Sequence, residues 1–133
     1  LTTSSAASDV YKRQALVKPK AEKIGPQIEA TFAAAYKAGV KIAFGTDSGV
    51  SAHGDNWQEF ILMTKAGMPN SIALKSATIE SAKLLRMDDR LGRIQPNMLA
   101  DIIGMAKNPL DDISAVSDIG FIMKDGVIFK NNL

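Results

Sequence analysis

The chain has 133 residues, enough for one ordinary hydrophobic core and too few for two well-packed ones. Its 16 basic and 14 acidic residues give a formal charge of +2 without blocks of like sign, and 46% hydrophobic with 23% charged residues is ordinary globular usage, so nucleic-acid binding, disorder and fibrous repeats are not expected. No apolar run approaches the ~18 residues of a membrane helix and no signal segment opens the chain; the absence of cysteine excludes disulfides and thiolate metal sites and leaves the compartment open, with the cytoplasm favoured.

Residues Leu1 to Gln14, LTTSSAASDVYKRQ, are small, polar and aperiodic. They read as foreign to the fold, and SAASDVYKRQ resembles translated adapter sequence, so residues 1–14 are set apart and the protein is expected to continue upstream. Residues 15–90 then form one unit and residues 91–133 another.

From Pro26, residues Ile28, Phe32, Ala35 and Gly39 recur at helical spacing. Pro26 suits a first turn and Gly39 a left-handed C-terminal closure, which predicts a helix. Val40 to Phe44 follows as a short β-branched and aromatic run, predicting a strand that feeds the glycine-rich loop Gly45-Thr46-Asp47-Ser48-Gly49. Asp55 and Asn56 are candidate N-caps for a second helix closed by Gly67. Helical stretches over Ser71 to Ala77 and Ile79 to Met87 come next, with Thr78 as the cap of the later one. Beyond Asp88 the pattern turns to β: Ala100 to Met105 reads as a strand, and Phe121–Lys124 and Val127–Lys130 flank Asp125-Gly126, a pair favoured in type I′ hairpins.

Asp47 is the residue most able to carry chemistry. It directly follows a strand, the edge where parallel α/β folds gather catalytic groups. Gly45 and Gly49 let a ligand approach the backbone, and Thr46 and Ser48 can orient the carboxylate. Such an aspartate can hold a divalent metal, accept a proton or take a phosphoryl group; it can equally be a turn residue satisfying loop amides. His53, the single histidine, can bind a substrate carboxylate or pack on Trp57. Ser48 has no base beside it in sequence and suits an orienting, substrate-contacting hydroxyl better than a nucleophile. Asp101 reads as structural, bonding nearby backbone; Asp88, Asp89, Asp111 and Asp112 read as solvated turn residues, and the six methionines as core.

The segments VKIAFGTDSG, HGDNWQEFILMTKAGM, SATIESAKLLRMDDRLGRIQPNMLADIIGM and GFIMKDGVIFK, in this order, resemble the end of an amidohydrolase-superfamily enzyme, most of all its imidazolonepropionase and Xaa-Pro dipeptidase-like members. The resemblance spans most of Ala21 to Lys130. It implies an α/β fold: the C-terminal part of a (β/α)8 barrel, with Val40 to Phe44 as the last strand between flanking helices, followed by part of a small β-sandwich. It also implies that Asp47 ligates a catalytic divalent metal, zinc above all, present as one or two ions, and shuttles a proton during hydrolysis of an amide bond in a small molecule such as a dipeptide or cyclic amide. A homo-oligomer is compatible with it. Metal-ligating histidines and a bridging lysine or carboxylate of that family have no counterpart here, and one carboxylate with one imidazole cannot close a zinc site that usually has three protein ligands. The isolated polypeptide is therefore expected to be inactive. Pro69 stands where relatives often place a capping Ser or Thr, and Asn97 where they often have glycine. The rival expectation is a non-enzymatic α/β binding or signalling module with Asp47 as phosphoacceptor.

Overall fold

A computed structural model describes residue 19, residues 23–46 and residues 54–133. Helix α1 covers 23–37, with Pro26 in its first described turn. It ends as the glycine suggests: Gly39 has φ 79°, its N–H donates to the carbonyl of Tyr36, and the next N–H, of Val40, donates to that of Ala35. This paired closure, with a left-handed residue satisfying the orphan carbonyls of the last turn, is a Schellman motif.

Val40 to Phe44, expected as a strand, is not assigned to one, nor are Gly45 and Thr46 after it. A strand is defined by ladder partners, and among the described residues none lies beside this segment. It packs instead through alternate side chains: Ile42 and Phe44 lie against Met63, Met68 and Ala73, together with Phe32 and Tyr36 of α1. The period of two is therefore present although the sheet is not.

The second helix begins with a 3-10 turn, Asp55–Trp57, and continues as α2, Gln58–Lys65. Asp55 and Asn56 lie inside this turn rather than before it, and Gly54, at φ 96°, holds the cap position without a side-chain hydrogen bond. The capping-box expectation is thus corrected: a left-handed glycine replaces the side-chain cap. The C-terminus follows expectation, with Gly67 at φ 99° donating to Thr64 and Met68 to Met63. Met63 and Met68, both buried, add the apolar contact that often accompanies such a closure.

The two short helices foreseen over 71–87 are one helical run of three kinds: α3 over Asn70–Lys75, a π turn over Ser76–Glu80, and α4 over Ser81–Leu84. Thr78 caps nothing; it sits inside the π turn with its hydroxyl donating to the Leu74 carbonyl at 2.9 Å. Pro69 occupies the cap position of α3 in an extended conformation, φ −60° and ψ 145°, and its carbonyl accepts from Ile72 and Ala73. The helix therefore starts without a capping hydroxyl. A third Schellman closure follows α4, from Arg86 to Lys83 and from Met87 to Ala82, with Arg86 held at φ 56°.

Gly92 folds the chain back on this run. A Cβ there would stand 2.9 Å from both the Ala82 Cβ and the Thr78 carbonyl oxygen, so only glycine fits this approach. Asn97 takes φ 69°, the left-handed conformation that asparagine tolerates.

The tail is a three-stranded antiparallel sheet in the order β1 (Ile102–Gly104), β2 (Phe121–Lys124), β3 (Val127–Asn131). Asp125 and Gly126 both have positive φ, 49° and 78°, as a type I′ turn requires. Ile122 pairs with Lys130 and Met123 with Ile128, which leaves Phe129 as the extra residue of a bulge. β1 is shorter than expected, since Asp101 lies outside the ladder and turns its carboxylate to the hairpin instead.

Between β1 and β2 the chain returns to the helices. A 3-10 turn, Ile113–Ser117, buries Ile113, Ala115 and Val116 and packs on α2, while the Asn70 amide donates to the Leu110 carbonyl at 3.0 Å. Asp112 caps that turn through Ser114 N at 2.9 Å, and Asp111 accepts from the Asn108 amide; both are exposed, as expected of solvated turn residues, and each also makes a local hydrogen bond. Of the six methionines only Met63 and Met68 are buried. Among the described residues no helix is long and apolar enough to cross a membrane.

Candidate active site

Asp47, Ser48 and His53 lie outside the described residues, so the structure brings none of the three sequence-derived site residues together. What it defines is the frame on either side. Upstream, segment 40–46 lies against α1, α2 and α3; downstream, the chain re-enters at Gly54 and turns directly into α2. The two flanks meet in an aromatic stack of Phe44 on Phe60. The segment carrying Asp47 therefore starts and ends on the same packed unit.

Ile42 and Phe44 point at the helical core, so in an alternating segment Lys41, Ala43 and Gly45 line the other side. The Thr46 hydroxyl is buried and finds no partner among the described residues, a situation that costs about 1–3 kcal/mol unless relieved. The backbone of the segment is tied by Phe44, whose N–H donates to the Ser76 carbonyl at 3.0 Å. Ser76 and Ser81 had no signal in the sequence: both read as ordinary helix residues, and a π turn has no residue signature comparable to a cap or a glycine stop.

Charge near the frame is sparse and exposed. Glu80 is held below the usual carboxylate range chiefly by its hydrogen bond to Lys83, which outweighs the opposing effect of desolvation, with weaker help from the charges of Lys83, Lys41 and Arg93. It lies in a groove of about 340 Å³ beside Tyr36, Lys41, Lys75 and Lys83. Asp101 and Asp112 are likewise lowered, by Lys124 with the Asp125 N–H and by Ser114 respectively, and both belong to the tail. No group of three or more His, Asp or Glu residues able to hold a metal occurs among the described residues. These residues alone do not fit a metal centre.

The amidohydrolase family pattern matches residues 9–129. The chain belongs to the amidohydrolase family. Its fold agrees with that of solved relatives. A crystal structure of a Xaa-Pro dipeptidase with methionine bound in its active site is 46% identical, with a TM-score of 0.83 over 96% of this chain and 33% of that one. A prolidase complexed with N-methylphosphonate-L-proline is 30% identical, with a TM-score of 0.71 over 77% of this chain and 26% of that one. An amidohydrolase from Thermotoga maritima is 28% identical, with a TM-score of 0.65 over 77% of this chain and 26% of that one. No curated protein matches the chain. The chain thus spans about a third of the Xaa-Pro dipeptidase and about a quarter of the other two. An amidohydrolase-like α/β unit with a small antiparallel sheet is the architecture observed.

Proposed function

We propose that this chain is the C-terminal part of a metal-dependent hydrolase of amide bonds, with dipeptides ending in proline as the substrate class. The observation that carries the reading is the 46% identity to a Xaa-Pro dipeptidase across 96% of the chain, backed by the amidohydrolase pattern over residues 9–129. Val40 to Phe44 is, on this reading, the last strand of a (β/α)8 barrel whose neighbours come from the rest of the protein, and the three-stranded sheet is part of a small β-sandwich.

Asp47 is the proposed catalytic residue. Ile42 and Phe44 face the helices, so the other face of the segment, with Lys41, Ala43 and Gly45, is the one a barrel interior would take, and Asp47 is proposed to act there. There its carboxylate accepts the proton released by the attacking water and returns it to the departing amine nitrogen, which is a poor leaving group until protonated. A divalent ion, zinc being the expected one, would supply a water of lowered pKa; Asp47 is its one proposed ligand in this chain, and other ligands lie elsewhere in the protein. Thr46 and Ser48 are proposed to orient the carboxylate or contact substrate, and His53 to bind the substrate carboxylate. The hairpin tail and the family pattern both favour this reading over a phosphoacceptor module.

The test is hydrolysis of a panel of Xaa-Pro dipeptides by the full-length protein carrying this chain, with and without Asp47→Asn. Loss of a proton-transfer group typically costs about 10²–10⁴-fold in rate, so kcat should fall at least 100-fold. Unchanged turnover removes Asp47 from the mechanism.

A further inference from the structure

One backbone oxygen is unusually engaged. The Ser76 carbonyl accepts the Phe44 N–H at 3.0 Å and the Ser81 hydroxyl at 2.7 Å. Ser76 is only 1% exposed, and its own hydroxyl turns back to the Ala73 carbonyl at 2.6 Å. In a regular α-helix the carbonyl of residue 76 is taken by the N–H of residue 80. Within the π turn over Ser76–Glu80 the bonding departs from that pattern, and the N–H of Ser81 goes to the Thr78 carbonyl. The Ser76 oxygen also meets the N–H of Phe44. This is the one backbone hydrogen bond that segment 41–46 makes among the described residues.

We propose that Ser76 and Ser81 are positioning residues: the π turn presents the Ser76 carbonyl, the Ser81 hydroxyl fixes its direction, and together they hold the backbone of Phe44, three residues before the catalytic aspartate. The inference rests on the reading of Asp47 given above. Three extended residues reach at most ~10 Å, so a backbone fixed at Phe44 limits where Asp47 can stand. Buried serines in helices commonly bond the carbonyl three or four residues back and do nothing more than fill space. Ser76 and Thr78 follow that habit. Ser81 does not: it reaches five residues back, to the same oxygen the reactive segment uses. π turns inside α-helices are frequent at functional sites, and displacement of a reacting group by about 1 Å costs on the order of 10²-fold in rate.

The experiment compares Ser81→Ala, Ser81→Thr and Asp47→Asn in the full-length protein. It measures kcat and KM for a Xaa-Pro dipeptide, and amide hydrogen exchange at Phe44. Ser81→Ala should lower kcat about 10-fold with KM within a factor of about two, a fraction of the ~10²-fold cost of full misplacement, and should speed exchange at Phe44. Ser81→Thr keeps the hydroxyl and should restore both. Normal kcat in Ser81→Ala beside an inactive Asp47→Asn overturns the positioning role and leaves Asp47 standing. Normal kcat in Asp47→Asn with a loss in Ser81→Ala overturns the assignment of Asp47 instead. A loss in Ser81→Ala that appears equally in KM, or that Ser81→Thr does not reverse, makes Ser81 a packing residue and ends the proposal.

Discussion

The rings of Phe44 and Phe60 stack with centroids 4.4 Å apart and planes inclined by 25°, joining the segment that leads into Asp47 to the helix that follows it. Both rings are half-buried and pack on Met63, Met68 and Ala73. Complete removal of a buried phenylalanine costs about 3–5 kcal/mol, part of it the aromatic pair; half-burial reduces that, and Phe60→Ala should destabilise the full-length protein by roughly 2–3 kcal/mol. Urea unfolding measures it. A loss under about 0.5 kcal/mol, the range of ordinary surface substitutions, means the stack contributes no more than an exposed contact.

Arg86 does with an L side chain what Gly39 and Gly67 do without one. All three close a helix by the same pair of hydrogen bonds, yet Arg86 stands at φ 56°, where a Cβ crowds the backbone at a cost of roughly 1–2 kcal/mol. Its side chain is exposed and is not among the paired residues described. Arg86→Gly should relieve the crowding and offset the added freedom of the unfolded chain, for a gain of about 0.5–1 kcal/mol, read as a higher midpoint in thermal unfolding. A drop of that size would mean the arginine side chain contributes more than its conformation costs.

The hairpin should lose stability in acid through Asp101. Its carboxylate accepts from the Asp125 N–H at 2.8 Å and from the Lys124 ammonium, and these hold its pKa below the ordinary 3.8. A group lowered on folding stabilises the folded state at pH values above its unfolded pKa, and that contribution fades as pH falls through the folded pKa. Wild type should therefore unfold at a higher temperature than Asp101→Asn at pH 7, and the gap should close below pH ~4, where the carboxylate of the unfolded chain is already protonated. Lys124 is well exposed, so salt should narrow the gap. A difference that persists unchanged at pH 2 excludes charge as its cause.

The hairpin itself was legible because its turn chemistry is local: Asp125-Gly126 needs two positive φ values and few residue pairs supply them. Gly39 and Gly67 were legible for the same reason, while the left-handed position of Asn97 was suggested by the family resemblance, in which relatives often have glycine there. The π turn was not legible, because residues 70–84 keep helical spacing throughout and no residue type marks where the backbone bonding changes. Asp55 and Asn56 have capping chemistry, but Gly54 took the left-handed position first and carried both into the 3-10 turn. Val40 to Phe44 shows the opposite limit. Composition identified a β-prone segment that buries alternate residues, and its packing on Met63 and Met68 agrees, but ladder partners cannot be read from the segment's own residues. The same limit applies to Asp47: the sequence marks a loop aspartate after a β-prone run, while its ligands and substrate are set by residues distant in the chain.

The 133 residues taken alone should self-associate. Among the described residues, segment 40–46 has no ladder partner, and β1 and β3 are both free edges of a three-stranded sheet. Such edges template pairing with further chains unless charge or proline blocks them. β3 carries Val127, Ile128 and Phe129 as a consecutive exposed run, with Phe129 at 71% exposure. Single exposed apolar residues are ordinary, whereas a contiguous run on an edge strand is an association site. Size-exclusion chromatography with light scattering should find species larger than a monomer, growing with concentration, and dye binding should report exposed apolar surface. Phe129→Lys should reduce both, since it places a charge in the bulge of the edge strand, the arrangement by which natural sheets resist pairing. A monodisperse monomer that unfolds in one cooperative step at neutral pH would show that the unpaired segment and the sheet edges are compatible with independent folding.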